Sequence, residues 1–170
     1  MKSAPTIEFA EFNFHTTQRS EVNGFSLTER NHPEFGFWRE RKLSLGHMNI
    51  YEHRAKLERS VNVQVGEPVA SRVHHCISLD GKLGAHFKDS NVSAELNSLR
   101  FHQLYVPENG YVLGMSQAFS NVHIEIDRTY YVNMLGESES WSEKLRESIS
   151  DQRVFYPGEQ TLSHAMVQTI

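Results

Sequence analysis

Up to residue 126 the apolar residues of this 170-residue chain recur at every second position in short runs; from residue 128 onward they recur at every third or fourth. A period of two belongs to a strand with one face on a core, and a period near 3.6 to a helix with one apolar stripe. Val61, Val63 and Val65 alternate strictly, as do Val73, His75, Ile77 and Leu79, then Leu83, Ala85 and Phe87, then Val122, Ile124 and Ile126. Strand patterns repeating about every ten residues with turn chemistry between them predict a mainly β fold, an antiparallel sandwich or barrel followed by two or three helices. Residues 101–106 are apolar on both faces, Phe101 and Tyr105 against Leu104 and Val106, which predicts a central strand covered from both sides. Turns are expected at 107–110 (Pro-Glu-Asn-Gly) and 119–121 (Phe-Ser-Asn), a hairpin at Asp80-Gly81, and a bulge at Gly46 inside a strand over 43–53. Asn121, His123 and Glu125 point away from the apolar face of their strand and are expected to meet water.

Beyond the strands, Asp127 is placed to cap a short helix carrying Tyr130, Tyr131, Met134 and Leu135, with Gly136 as its stop. Ser140 and Glu143 have the spacing of a capping box, and Trp141, Leu145 and Ile149 form a stripe expected to lie on the sheet. A third helical pattern is read from about Thr161, with Leu162, Met166 and Ile170 as a dimerisation stripe; the chain ends inside it, so a continuing natural chain is expected. Ahead of the strands, Ile7, Phe9, Phe12 and Phe14 predict a packed arm. The expected organisation is an arm over 1–34, a barrel over 35–127 and a helical region over 128–170.

Charge and composition exclude several roles. With 17 Lys and Arg against 21 Asp and Glu, a net charge of −4 does not suit a chain that grips nucleic acid by itself. No stretch of eighteen apolar residues exists and the first twelve residues lack a signal-peptide core, so no membrane insertion is expected and the cytoplasm is the expected compartment. The single Cys76 leaves no internal disulfide and reads as a buried thiol.

Four segments carry a family likeness: LGHMNI at 45–50, FHQLYVP at 101–107, HIEID at 123–127 and LSHAM at 162–166. Together, from about residue 40 onward, the chain resembles the N-terminal sensor and dimerisation half of AraC-type transcription regulators, in particular the siderophore-responsive group. In that group an asparagine often follows the histidine where this chain has Gln103. The resemblance implies a cupin-like barrel that binds a small-molecule effector, a homodimer made through the following helices, and DNA contact only through helix-turn-helix motifs in a C-terminal domain absent from this chain. The alternatives are a cupin metalloenzyme, such as an isomerase or dioxygenase, and a stand-alone small-molecule-binding cupin.

Ten histidines invite a metal reading. Metal-holding cupins use a His-x-His pair with a further Glu and His, and this chain has no His-x-His; His74 and His75 are adjacent and point to opposite faces of a strand. No metal or other cofactor is therefore expected. No Gly-x-Ser-x-Gly elbow, phosphate loop or paired carboxylates are found, so no catalytic residue is assigned and no enzyme is expected. The ligand-binding candidates are Trp38, Arg39, His75, His102 and Tyr105. Each has a second reading: His75 and His102 as hydrogen-bonded core histidines, Trp38 with Arg39 as packing beside a strand, Tyr105 as core.

Overall fold

The computed structural model describes residues 4–8, 11, 16–22, 24–65, 72–87, 91–107, 110–135 and 140–163. Its strands are β1 Thr6–Glu8, β2 Thr16–Val22, β3 Phe25–His32, β4 Gly36–Leu45, β5 Met48–Leu57, β6 Val61–Val65, β7 Arg72–Phe87, β8 Ser93–Leu96, β9 Arg100–Val106, β10 Tyr111–Asp127 and β11 Glu159–Thr161, with helices α1 Arg128–Met134 and α2 Ser140–Ser150 between the last two strands. The fold is mainly β, as expected, with two helices among the described residues. The main path of the sheet runs β11-β9-β7-β10-β5-β4-β3-β2, all antiparallel; β8 joins β7, β6 joins β10, and β1 lies parallel to β6.

Two long strands form the spine. β7 and β10 pair antiparallel from Arg72–Asp127 to Phe87–Tyr111, and each changes its other neighbour midway. The C-terminal half of β10 pairs with β5 and its N-terminal half with β6; the first half of β7 pairs with β9 and the second with β8. Where the neighbours change, the register shifts between Met115 and Phe119 and again between Ser120 and Asn121. Such bulges bend a sheet, and here the ribbon folds so that its two halves face each other. The facing side chains, among them Trp38, Leu57, Val61, Val63, Leu83, Leu96, Met115 and Phe119, form the main core.

Two expected turns and one expected bulge are corrected. No hairpin forms at Asp80-Gly81: β7 continues through Gly81, whose φ of +76° supplies the bend. Phe119, Ser120 and Asn121 are inside β10 rather than in a turn. Gly46, at φ +63°, is the first residue of a two-residue hairpin between Leu45 and Met48 rather than a bulge, so 43–53 is two strands. The strict alternation of 61–65 is as expected, with Val61, Val63 and Val65 all buried.

β9 is covered on both faces but is second from the edge of the sheet, not central, because β11 pairs outside it. One β9 face meets the helices: Tyr105 packs with Val73, Leu145 and Phe155, and Trp141 and Ile149 of the α2 stripe lie against this cluster as expected. The other meets the barrel interior through Leu104 and Val106. Asp127 caps α1 as expected, its Oδ1 accepting from the Tyr130 N–H at 2.9 Å.

The two ends of the chain differ from expectation. In the segment expected to be an arm, 16–22 and 25–32 are strands that extend the sheet beyond β4, and 6–8 is a strand on β6. The helix expected from about Thr161 does not begin there. Residues 159–161 are extended on β9, and the Leu162 N–H donates to the Leu99 carbonyl at 3.2 Å. The unpaired edge of β9 offers main-chain partners that override the local helical spacing. Leu162 is buried within its own chain; Met166 and Ile170 lie outside the described residues.

Candidate functional site

The inward faces of β4, β5, β7, β8, β9 and β10 line a cavity of about 90 Å³. A single water needs about 10–15 Å³ in the same measure, so there is room for a molecule of several heavy atoms. Most of the wall is apolar: Trp38, Leu83, Ala85, Phe87, Ala94, Leu96, Leu104, Leu113 and Phe119. One end is polar, where His53, His74, His102, Asn121 and His123 reach the space.

Register explains which side chains arrive there. Pairing of Asn121 with His53 and of His123 with Tyr51 puts four polar side chains on one face of β5 and β10. On β7, His74 lies opposite Glu125 and Cys76 opposite His123, on the same face. The face of β10 read as solvent-exposed is therefore the inner one; Asn121 and Glu125 are buried, and His123 lines the cavity. Val73, His75, Ile77 and Ile124 turn the other way, where Val73 packs with Leu145 of α2 and His75 with Tyr131 of α1.

Three sets of polar contacts hold these groups. Arg30 Nη1 lies 3.8 Å from Glu40 Oε2, and His53 Nε2 lies 3.5 Å from the same oxygen. His53 Nδ1 meets Asn121 Oδ1 at 3.0 Å, and His74 Nδ1 meets His123 Nε2 at 2.9 Å. Tyr51 Oη donates to Glu125 Oε2 at 3.0 Å, with Arg72 Nη1 at 3.9 Å from that oxygen. Burial raises the proton affinity of Glu40, but the hydrogen bond and charge of His53, with Arg30 and Lys42, outweigh it and hold the carboxyl below its ordinary value. Burial, reinforced by His74, His53 and His75, drives His123 well below the ordinary imidazole value, so it is neutral at pH 7. Burial, and then Glu125, pushes the Cys76 thiol up to about 12, making it an inert wall group.

The candidates from the sequence divide. Trp38 and His102 line the cavity. His102 is buried, with Nε2 at 3.8 Å from Glu159 Oε2, and burial lowers its proton affinity despite that carboxylate. Arg39 is on the other face of β4, with Nη2 at 2.7 Å from Glu29. Tyr105 is fully buried under the helices, its Oη donating to Gln152 Oε1 at 3.3 Å. His75 is a correction as well: it packs between Phe101 and Tyr131 at ring distances of 5.7 and 5.3 Å, and His74 is the residue that faces the cavity. Sequence reasoning missed His53, His74, Asn121, His123 and Glu125; the usable signal was the matching polar alternation of 51–53 and 121–125.

His75 makes stability depend on pH. Its Nε2 is buried and has no hydrogen-bond partner among the described residues, and burial pulls its pKa from 6.5 to about 4. Between those values the unfolded chain binds more protons than the folded one, so stability is full above pH 6.5 and is lost as pH falls toward 4. The loss attributable to His75 is at most about 3 kcal/mol. Urea midpoints measured from pH 7 to 4 are expected to fall less steeply in His75→Phe than in the parent; equal slopes would refute the assignment.

Fold and site together define a bent antiparallel β domain that encloses a small-molecule-sized, largely apolar cavity with a histidine-rich polar end, backed by two helices. No protein-family model matches the chain, and no curated protein matches it significantly. Among solved structures, it is similar to apo ToxT from Vibrio cholerae (8% identity, 74% of this chain and 46% of that one, TM-score 0.49). It is also similar to the AraC-like transcriptional activator CuxR (11%, 78% and 47%, TM-score 0.45) and the Cnp3 cupin domain of Schizosaccharomyces pombe (9%, 59% and 74%, TM-score 0.43). The chain thus spans just under half the length of ToxT and of CuxR. None of these likenesses is strong enough to carry a function across. Among the described residues, no helix is long and apolar enough to cross a membrane.

Proposed function

We propose that this chain is the effector-sensing and dimerisation part of an AraC-type transcription regulator, acting by binding and not by catalysis, in the cytoplasm, with DNA contacted through a domain outside it. The observation that carries the reading is that the cavity and the helices share one wall. β7 sends His74 and Cys76 into the cavity and Val73 and His75 under α1 and α2. A molecule that seats against His74 and His123 therefore acts one sheet thickness away from the helices, which are the elements that follow the barrel toward any later domain. Occupancy works as a population shift, and a differential affinity of about 1–3 kcal/mol between two helix arrangements gives a several-fold to hundredfold change in output.

The test is a thermal-shift screen of small carboxylates, phenols and sugars against the parent chain and Ala94→Phe, which fills the cavity from β8. A true effector at a hundred times its Kd is expected to stabilise the parent by about 2.7 kcal/mol and Ala94→Phe hardly at all. Hits that stabilise both proteins equally would remove the cavity as the effector site.

A further inference from the structure

The polar end of the cavity has a composition that the sensor reading does not require. His74 comes from β7, and His123 and Glu125 come from the same face of β10; Glu125 lies directly opposite His74 in the register. One donor atom from each of these three side chains lies within 4.8 Å of those of the other two. We propose that His74, His123 and Glu125 form a binding site for one divalent transition-metal ion, with the remaining coordination position open to the cavity.

Four observations carry this. The donor set is two imidazoles and one carboxylate, which suits zinc, and equally the non-haem iron(II) class, when a site keeps an open position for an outside ligand. The spacing is close to what coordination needs. With metal–ligand bonds of about 2.0–2.1 Å, adjacent donors sit about 2.9 Å apart in an octahedral site and about 3.3 Å apart in a tetrahedral one. His74 Nδ1 and His123 Nε2 are already 2.9 Å apart, and a carboxylate oxygen of Glu125 lies within 4.8 Å of both.

The ligands are also held from behind. Tyr51 Oη and Arg72 Nη1 both address Oε2 of Glu125, which leaves Oε1 for an ion, and the Tyr51 ring stacks on His123 at 5.7 Å. Lastly, all three side chains stand on two paired strands of the spine, where the positions of their Cα atoms are fixed by the ladder on both sides. This arrangement differs from the His-x-His pattern weighed in the sequence: one histidine and a His-x-Glu pair, from strands 49 residues apart in sequence. His53 is not a fourth ligand, because its two ring nitrogens are engaged by Asn121 and Glu40.

The site rests on the same cavity but not on the sensor reading, and the two fail separately: the effector screen uses organic molecules, and the experiment here uses metal alone. Chelator-treated full chain is titrated with Zn2+ by calorimetry and with Co2+ by visible absorption. One equivalent per chain is expected, with cobalt bands of nitrogen and oxygen ligation. Glu125→Gln and His123→Ala are each expected to weaken binding at least about a hundredfold, while His47→Ala, at the exposed β4–β5 turn, leaves it unchanged. Metal-free circular dichroism of each variant checks that it folds. If the parent takes up no stoichiometric metal, His74 and His123 are a hydrogen-bonded pair only and the proposal falls. Uptake that survives in folded Glu125→Gln and His123→Ala but falls in His47→Ala would place the metal on surface histidines and also overturn it.

Discussion

Gly81→Ala is expected to lose about 3–5 kcal/mol of stability, enough to unfold a marginal domain near physiological temperature. Two costs add. At φ +76° a side chain is strained whatever space it has. Space is lacking too: a Cβ there would run into the Ala118 carbonyl oxygen and lie 2.8 Å from Phe119 Cα. Both contacts are backbone of β10 at the bulge, so no rotamer change relieves them. The measurement is a urea titration of parent and variant, with Gly24→Ala as the comparison. Gly24 also has a positive φ, +79°, but its added Cβ would meet nothing within 4 Å. Its expected loss is only about 1–2 kcal/mol. A Gly81→Ala loss no larger than that of Gly24→Ala would show that the spine can bend without glycine.

Leu145→Ala is the second large effect, expected at about 3 kcal/mol within the usual 2–5 kcal/mol range for such a truncation in a core. Leu145 is fully buried and packs with Val73, Tyr105 and Phe155, with Tyr131, Trp141 and Ile149 around them. It is the side chain through which α2 is anchored on the outer face of β7 and β9. Beyond the global loss, hydrogen exchange is expected to quicken in 140–150 more than in β10. Uniform acceleration in both would mean that the helices do not open as a separate unit.

The strands were legible wherever one face is apolar and the other wet, as in 61–65, and the helices wherever a cap and a stripe coincide, as at Asp127 and at Trp141, Leu145 and Ile149. The site was much less so. Alternation in 122–126 marks two different faces but does not say which meets water, and here the polar side, Asn121 and His123, meets a cavity. The reversal of His74 and His75 has the same origin: apolar neighbours Val73 and Ile77 mark the helix-covered face, not the interior of the barrel. Gly81 and Gly46 were misread because bulge and hairpin both use a left-handed glycine, and only the partner strand decides between them. At 159–162 the long-range pairing to β9 outweighs an apolar spacing that reads as helix.

Among the described residues, the main path of the sheet ends at two rims, and an unpaired rim is a template on which another chain can grow. At one rim lies β2, whose sequence Thr-Thr-Gln-Arg-Ser-Glu-Val puts an arginine and a glutamate among polar neighbours. The other is sealed by β11, only three residues long, every one of them exposed. Charge guards the first and brevity the second. Were 159–161 to detach, the longer and mostly apolar β9 would become the rim, with Phe101, Leu104, Tyr105 and Val106 along it. The three-residue strand late in the chain thus keeps that apolar edge of β9 paired within its own chain.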